Sequence, residues 1–225
     1  MSFSRVNLPE SFFKGDELTS AMAGIGIHLS TKPLINPNIE DVLISASIEG
    51  LNEDWRTLSL LVDWIFKHST VINVDRLTRA ITELKKDTLL LAFWSTIAKN
   101  LHGDIRFKRL ASLYKGQKLL LGASSGELFL KRNGPDERFK LGKLIIPNKI
   151  LRSRPSDIID LSDLVKLHRG IYYRVLVGPT YRADCLQLLE TSVKQSVSSL
   201  AKKSYSSYRT AWETLNDWKI LHLVE

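Results

Sequence analysis

The chain has 225 residues, of which 44% are hydrophobic and 25% charged, the proportions of a globular protein long enough to bury its own core. It holds no uncharged apolar run of about eighteen residues, so no membrane span is expected, and MSFSRVNLPESFFKGDE at its start lacks the apolar stretch of a secretory leader. A single cysteine, Cys185, excludes an internal disulfide and a cysteine metal cage, and a reducing cytoplasm is the expected location.

The net charge of +8 is unevenly placed. Residues 1–100 carry 10 Lys/Arg and 12 Asp/Glu, residues 105–154 carry 13 and 3, and residues 155–225 carry 9 and 8. A concentrated basic segment attracts polyanions by releasing their counterions, and DNA or RNA is the commonest such partner.

Residues 1–37, punctuated by Pro9, Pro33 and Pro37, read as an irregular arm with a short helix near 17–23. Helical periodicity follows in four segments. The first starts at Asn38, has Glu40 and Asp41 in its first turn, sets Ile39, Val42, Leu43 and Ala46 on one face, and is expected to end at Gly50. The second places Leu58, Leu61, Val62 and Ile65 together, and the third starts at Asn73 with Leu77, Ala80, Ile81 and Leu84. The fourth starts at Asp87 and ends at Gly103. With RFKRLASLYKG continuing it, 38–118 reads as a helical bundle, the expected seat of a homodimer contact or of a protein partner.

Residues 119–179 read as a basic connector with one or two short strands. PSDIIDLSDLVKLH predicts two short helical turns, capped by Ser156 or Asp157 and by Ser162 or Asp163, and IYYRVLVGP, β-branched and aromatic, predicts a strand. Beyond Pro179 come three helices. TYRADCLQLLE is capped by Thr180, and SVSSLAKK by Ser196. SSYRTAWETLNDW is expected to be capped by Ser206 and to turn Tyr208, Ala211, Trp212 and Leu215 inward. The fold class is mainly α: an N-terminal helical domain, a short mixed α/β connector and a C-terminal three-helix unit over 180–225.

Over 180–221 this string resembles the helix-turn-helix part of winged-helix DNA-binding regulators. Leu200-Ala201 matches the first helix of that motif, and LNDWKIL, 215–221, matches the exit toward the wing. The turn is shorter than in that family and lacks its glycine, and LHLVE, 221–225, supplies only a first wing strand. The whole chain is also similar, more faintly, to uncharacterised bacterial proteins that end in such a unit, a likeness that implies no activity.

The resemblance implies a transcription regulator without enzymatic activity or cofactor, whose partner is double-stranded DNA and whose helix 206–217 reads it. Ser206, Ser207, Arg209, Thr210 and Glu213 would then face the groove, with Arg209 on guanine. Tyr205, Ser206 and Ser207 would bond phosphates, and Lys202 and Lys203 would add attraction. From the basic segment, Arg106, Lys108, Arg109, Lys131, Arg132, Arg138 and Lys140 would hold further phosphates. The alternative is a protein-interaction adaptor or antitoxin-like component whose C-terminal unit docks on protein.

Other chemistries find less in the sequence. His28, His68, His102, His168 and His222 stand far apart without metal-ligand spacing, so no metal site is expected. GIGIHLS lacks the lysine of a phosphate loop, and GASSGE lacks nucleophile-elbow spacing. PDERFKLGK offers Asp136, Glu137 and Lys140 or Lys143 in the order found in divalent-metal nucleases. The tryptophans, Trp55, Trp64, Trp94, Trp212 and Trp218, mostly fall on helical apolar faces and read as core rather than base-stacking platforms, with Trp55 or Trp64 as the candidate interaction anchor.

Overall fold

The computed structural model describes residues 5–101, 103–191 and 195–221, the side chains of Ala123 and Ser124 apart. His102, His222 and the wing-strand residues 222–225 lie outside them. Helices α1 (Gly15–Gly24), α2 (Ile39–Leu51), α3 (Trp55–His68), α4 (Val74–Glu83) and α5 (Thr88–Asn100) build the first half. The last four start behind acceptor side chains: Asn38, Asp54, Asn73 and Asp87 accept the N–H groups of Asp41, Thr57, Arg76 and Leu90, each cap contributing about 1 kcal/mol. Gly50 does not end α2. A Cβ there would stand 2.8 Å from that of Leu58, so this glycine lets α2 and α3 close together, and the turn follows at Asn52 and Glu53, the latter at φ 75°.

After the short α6 (Lys108–Ala111), β1 (Leu119–Leu120) and β2 (Leu144–Ile145) pair in parallel, Leu119 opposite Leu144. The crossover between them contains α7 (Ala123–Asn133), a helix hidden in the sequence by its glycines. Thr96 of α5 ties this connector down, its hydroxyl accepting the N–H groups of Lys143 and Leu144 at 3.2 and 3.0 Å.

Residues of the expected strand 171–177 instead form α9 (Arg169–Val177), preceded by α8 (Leu161–Leu167). Their β-branched propensity yields to a cap: the His168 ring accepts the Ile171 N–H at 3.2 Å, and Ile171, Tyr173 and Arg174 turn inward. The caps expected at 156–157 and 162–163 are corrected too, since Arg154 and Asp160 precede the two turns and make no side-chain cap bond.

Helices α10 (Tyr181–Thr191), α11 (Val197–Lys203) and α12 (Tyr208–Ile220) complete the chain. Ser196 caps α11 as expected, but Ser207 rather than Ser206 caps α12, accepting the Thr210 N–H at 3.1 Å. The inner face of α12 is therefore Ala211, Thr214 and Trp218, while Tyr208 and Trp212 are 45% and 53% exposed.

One apolar core runs from Leu18 of α1 through the bundle and connector to Ile171. A second joins Tyr173, Cys185, Leu189, Leu200, Ala211 and Trp218. Between them lies a buried ionic cluster. Arg174 grips Glu40 at 2.6 and 2.7 Å and Asp184 at 2.7 and 2.9 Å, and donates to the Val71 carbonyl. Arg76 pairs with Asp41, and its guanidinium lies 3.9 Å over the ring of Tyr205, whose hydroxyl donates to Asp41. Burial pushes the carboxyls of Asp41 and Asp184 above their usual range, against the pull of the two guanidinium groups. Burial opposes ionisation at Glu40 as well, but Arg174 and Arg76 outweigh it and hold this carboxyl low.

Candidate nucleic-acid interface

Along the outer side of α3, residues 134–157 of the connector fold back to form a groove. Asp63, in the middle of α3, is the tie: its carboxylate accepts from the Ser153 hydroxyl at 2.9 Å, the Arg154 N–H at 2.5 Å and the Arg138 guanidinium at 3.4 Å. Arg138 is clasped by both oxygens of Asp136 and donates to the Leu151 carbonyl at 3.0 Å. A rigid ledge of charged side chains results.

Three adjoining cavities run along this ledge, of about 470, 420 and 630 Å³. Seven cationic side chains line them: Arg56, Arg152 and Arg154 in the first, Lys67, Arg138 and Lys140 in the second, and Lys149 with Arg138 and Arg152 again in the third. The carboxylates of Asp157, Asp63, Glu137 and Asp136 stand among them. Trp55, Phe66 and Phe129 supply aromatic walls. Cations interleaved with aromatics suit a nucleic-acid chain, whose phosphates need charge and whose bases need flat apolar surface. Comparison with known protein families, curated proteins and solved structures finds no match.

The residues expected to hold phosphates divide into two groups. Lys108, Arg109, Lys131, Arg132 and Lys140 are exposed, with Lys140 beside Glu137 at 3.3 Å and Arg109 3.9 Å from Asp75. Arg106 and Arg138 are occupied within the fold. Arg106 pairs with Asp104 and donates to the carbonyls of Ser69, Thr70 and Ile72, closing the end of α3. The acidic pair weighed for metal is dispersed in the same way, because Asp136 is buried and bound to Arg138 while Glu137 is exposed. Lys143 donates to the carbonyls of Lys115 and Gly116.

The expected reader surface is only partly on the outside. Arg209 is 86% exposed at its side chain and pairs with Glu213 at 2.7 Å. Lys202 pairs with Glu10 at 2.8 Å, and Lys203 is exposed. Ser206 is buried beside Ser204 and Cys185, and Tyr205 is engaged with Arg76 and Asp41. Ser207 and Thr210 bond each other as the cap of α12. Trp64, one of the two expected anchors, is a core residue whose Nε1 donates to the Ile25 carbonyl at 2.8 Å. Trp55 is the half-buried one that reaches the groove. Arg56, Lys67, Lys149, Arg152 and Arg154 were not among the expected contacts, although Lys149, Arg152 and Arg154 stand in the basic segment 105–154.

Proposed function

We propose that this protein binds nucleic acid, gripping the phosphate backbone in the groove between α3 and residues 134–157. The observation that supports this reading is the line of seven Lys/Arg side chains along three contiguous cavities. Of these, Arg56, Lys149, Arg152 and Arg154 have no ion-paired partner among the described residues, while Lys67, Arg138 and Lys140 are paired with Asp160, Asp136 and Glu137. In this reading the C-terminal helices serve chiefly as a structural unit, and the regulator role implied by the winged-helix likeness rests on Arg209 and Lys203 as secondary contacts. Anisotropy of a labelled oligonucleotide of about twenty nucleotides, titrated with the full chain, tests it. Three to five phosphate contacts predict about a hundredfold loss of affinity between roughly 50 and 200 mM salt. Binding that ignores salt, or no binding, ends the reading.

One observation favours a protein-adaptor role instead. The exposed face of α9 carries Tyr172, Val175, Leu176 and Val177, whereas among the described residues α2 to α5 expose no large apolar side chain. A homodimer or partner contact would then use α9 rather than the bundle, and Val175→Glu would abolish association seen by light scattering.

A further inference from the structure

The first cavity of the groove gathers side chains that lack partners, one of which, Arg152, it shares with the third. The chain has fourteen arginines. Among the described residues, only the guanidinium groups of Arg56, Arg132, Arg152 and Arg154 have no hydrogen-bonded or ion-paired partner, and three of these four line the cavity of about 470 Å³ at the start of α3. The carboxylate of Asp157, on the same wall, likewise has no partner among the described residues. Trp55, Leu60 and Ile150 supply the apolar surface.

We infer that this cavity is a nucleotide site that takes one unstacked base of a single strand, so that the ligand of the groove is single-stranded rather than duplex nucleic acid. The inference rests on the groove reading above and adds the form of the ligand. Three guanidinium groups kept unpaired are matched to phosphate oxygens, which they bond as a planar fork. Asp157 argues against a site for phosphate alone, because a carboxylate repels that group. It is matched to an N–H donor, such as the amino or imino edge of a base. Trp55 offers a stacking face to any base, as the aromatics of single-strand binders do. In a duplex the bases are paired and stacked inside a convex cylinder, and none of them reaches a recess walled by tryptophan.

The test uses the full chain with a twelve-nucleotide single strand, its blunt duplex and a free nucleoside monophosphate, all at one salt concentration. The single strand is expected to bind at least tenfold more tightly than the duplex and to quench tryptophan emission. Trp55→Leu should remove the quench and weaken the strand about tenfold, and Arg152→Ala should lower the slope of log affinity on log salt by about one. Circular dichroism of each variant confirms that it folds, and Arg154→Ala, on the exposed wall, repeats the salt test should Trp55→Leu fail to fold. Equal or tighter duplex binding overturns the single-strand assignment while leaving the groove reading intact, and so does a quench that survives Trp55→Leu. Loss of both ligands' binding removes both. A monophosphate that binds as tightly as the strand shows a free-nucleotide site and overturns the strand assignment, as does displacement of the strand by poly-glutamate of equal charge.

Discussion

His168 is almost fully buried between the start of α9 and the loop at Pro37. Its Nδ1 accepts the Ile171 N–H at 3.2 Å and its Nε2 lies 3.0 Å from the Pro37 carbonyl, so the geometry assigns a neutral ring with the proton on Nε2. Burial drives its pKa from the ordinary 6.5 to about 4, with Arg174 acting in the same direction. A base whose pKa is depressed on folding stabilises the fold above its unfolded value and ceases to as pH falls toward the folded one. Stability is therefore expected to drop by about 2 kcal/mol from this residue between about pH 7.5 and about pH 5. Urea denaturation across that range checks it, and His168→Asn, which keeps a cap acceptor, should flatten the slope. In the sequence this side chain reads only as a histidine without metal partners. Its role depends on Pro37, 131 residues away, and no local pattern announces such a contact.

The helices split by what decides them. For α2 to α5 the decision is local: a polar residue that accepts a backbone N–H, followed by apolar positions at helical spacing. The starts of those helices at the caps Asn38, Asn73 and Asp87 are legible, whereas the ends expected at Gly50 and Gly103 are not, since α2 runs on to Leu51 and α5 stops at Asn100. Helix α9 is not, because its β-branched and aromatic residues favour a strand until the His168 cap and the guanidinium of Arg174 are fixed by distant partners. At α12 two adjacent serines compete as cap, and choosing Ser206 over Ser207 turns the predicted inner face toward Tyr208 and Trp212. The groove is illegible for a further reason. Its halves, α3 and residues 149–157, meet through Asp63, and the spacing of Arg56 from Arg152 carries no sign of their proximity. Asp63→Ala removes the bonds to Ser153, Arg154 and Arg138, so it should loosen residues 149–157 from α3. We expect faster amide exchange there and at least tenfold weaker oligonucleotide binding, with helical content by circular dichroism unchanged.

Across the whole molecule the two apolar cores are joined by charge. Arg174 of α9 bridges Glu40 of α2 and Asp184 of α10, and replacing it leaves Asp184 buried without its ion-pair partner and Glu40 with only Arg76, 3.9 Å away. Arg174→Ala is expected to cost about 3–5 kcal/mol, read as a lower urea midpoint, and to separate one cooperative transition into two. A second whole-molecule prediction ranks the two basic surfaces. Arg209→Ala should change oligonucleotide affinity less than twofold, while Arg152→Ala lowers it about tenfold, and the reverse order would return the reader role to α12. The join between α11 and α12 has one more consequence. Tyr205 holds φ 56°, a left-handed backbone that disfavours a non-glycine residue by about 1–2 kcal/mol, and among the described residues its ring and hydroxyl are engaged by Arg76 and Asp41. A peptide cut out as 196–221 has neither partner, so its two helices should fail to adopt this bend in isolation. The bend between the last two helices is therefore moulded on a surface that α2 and α4 build.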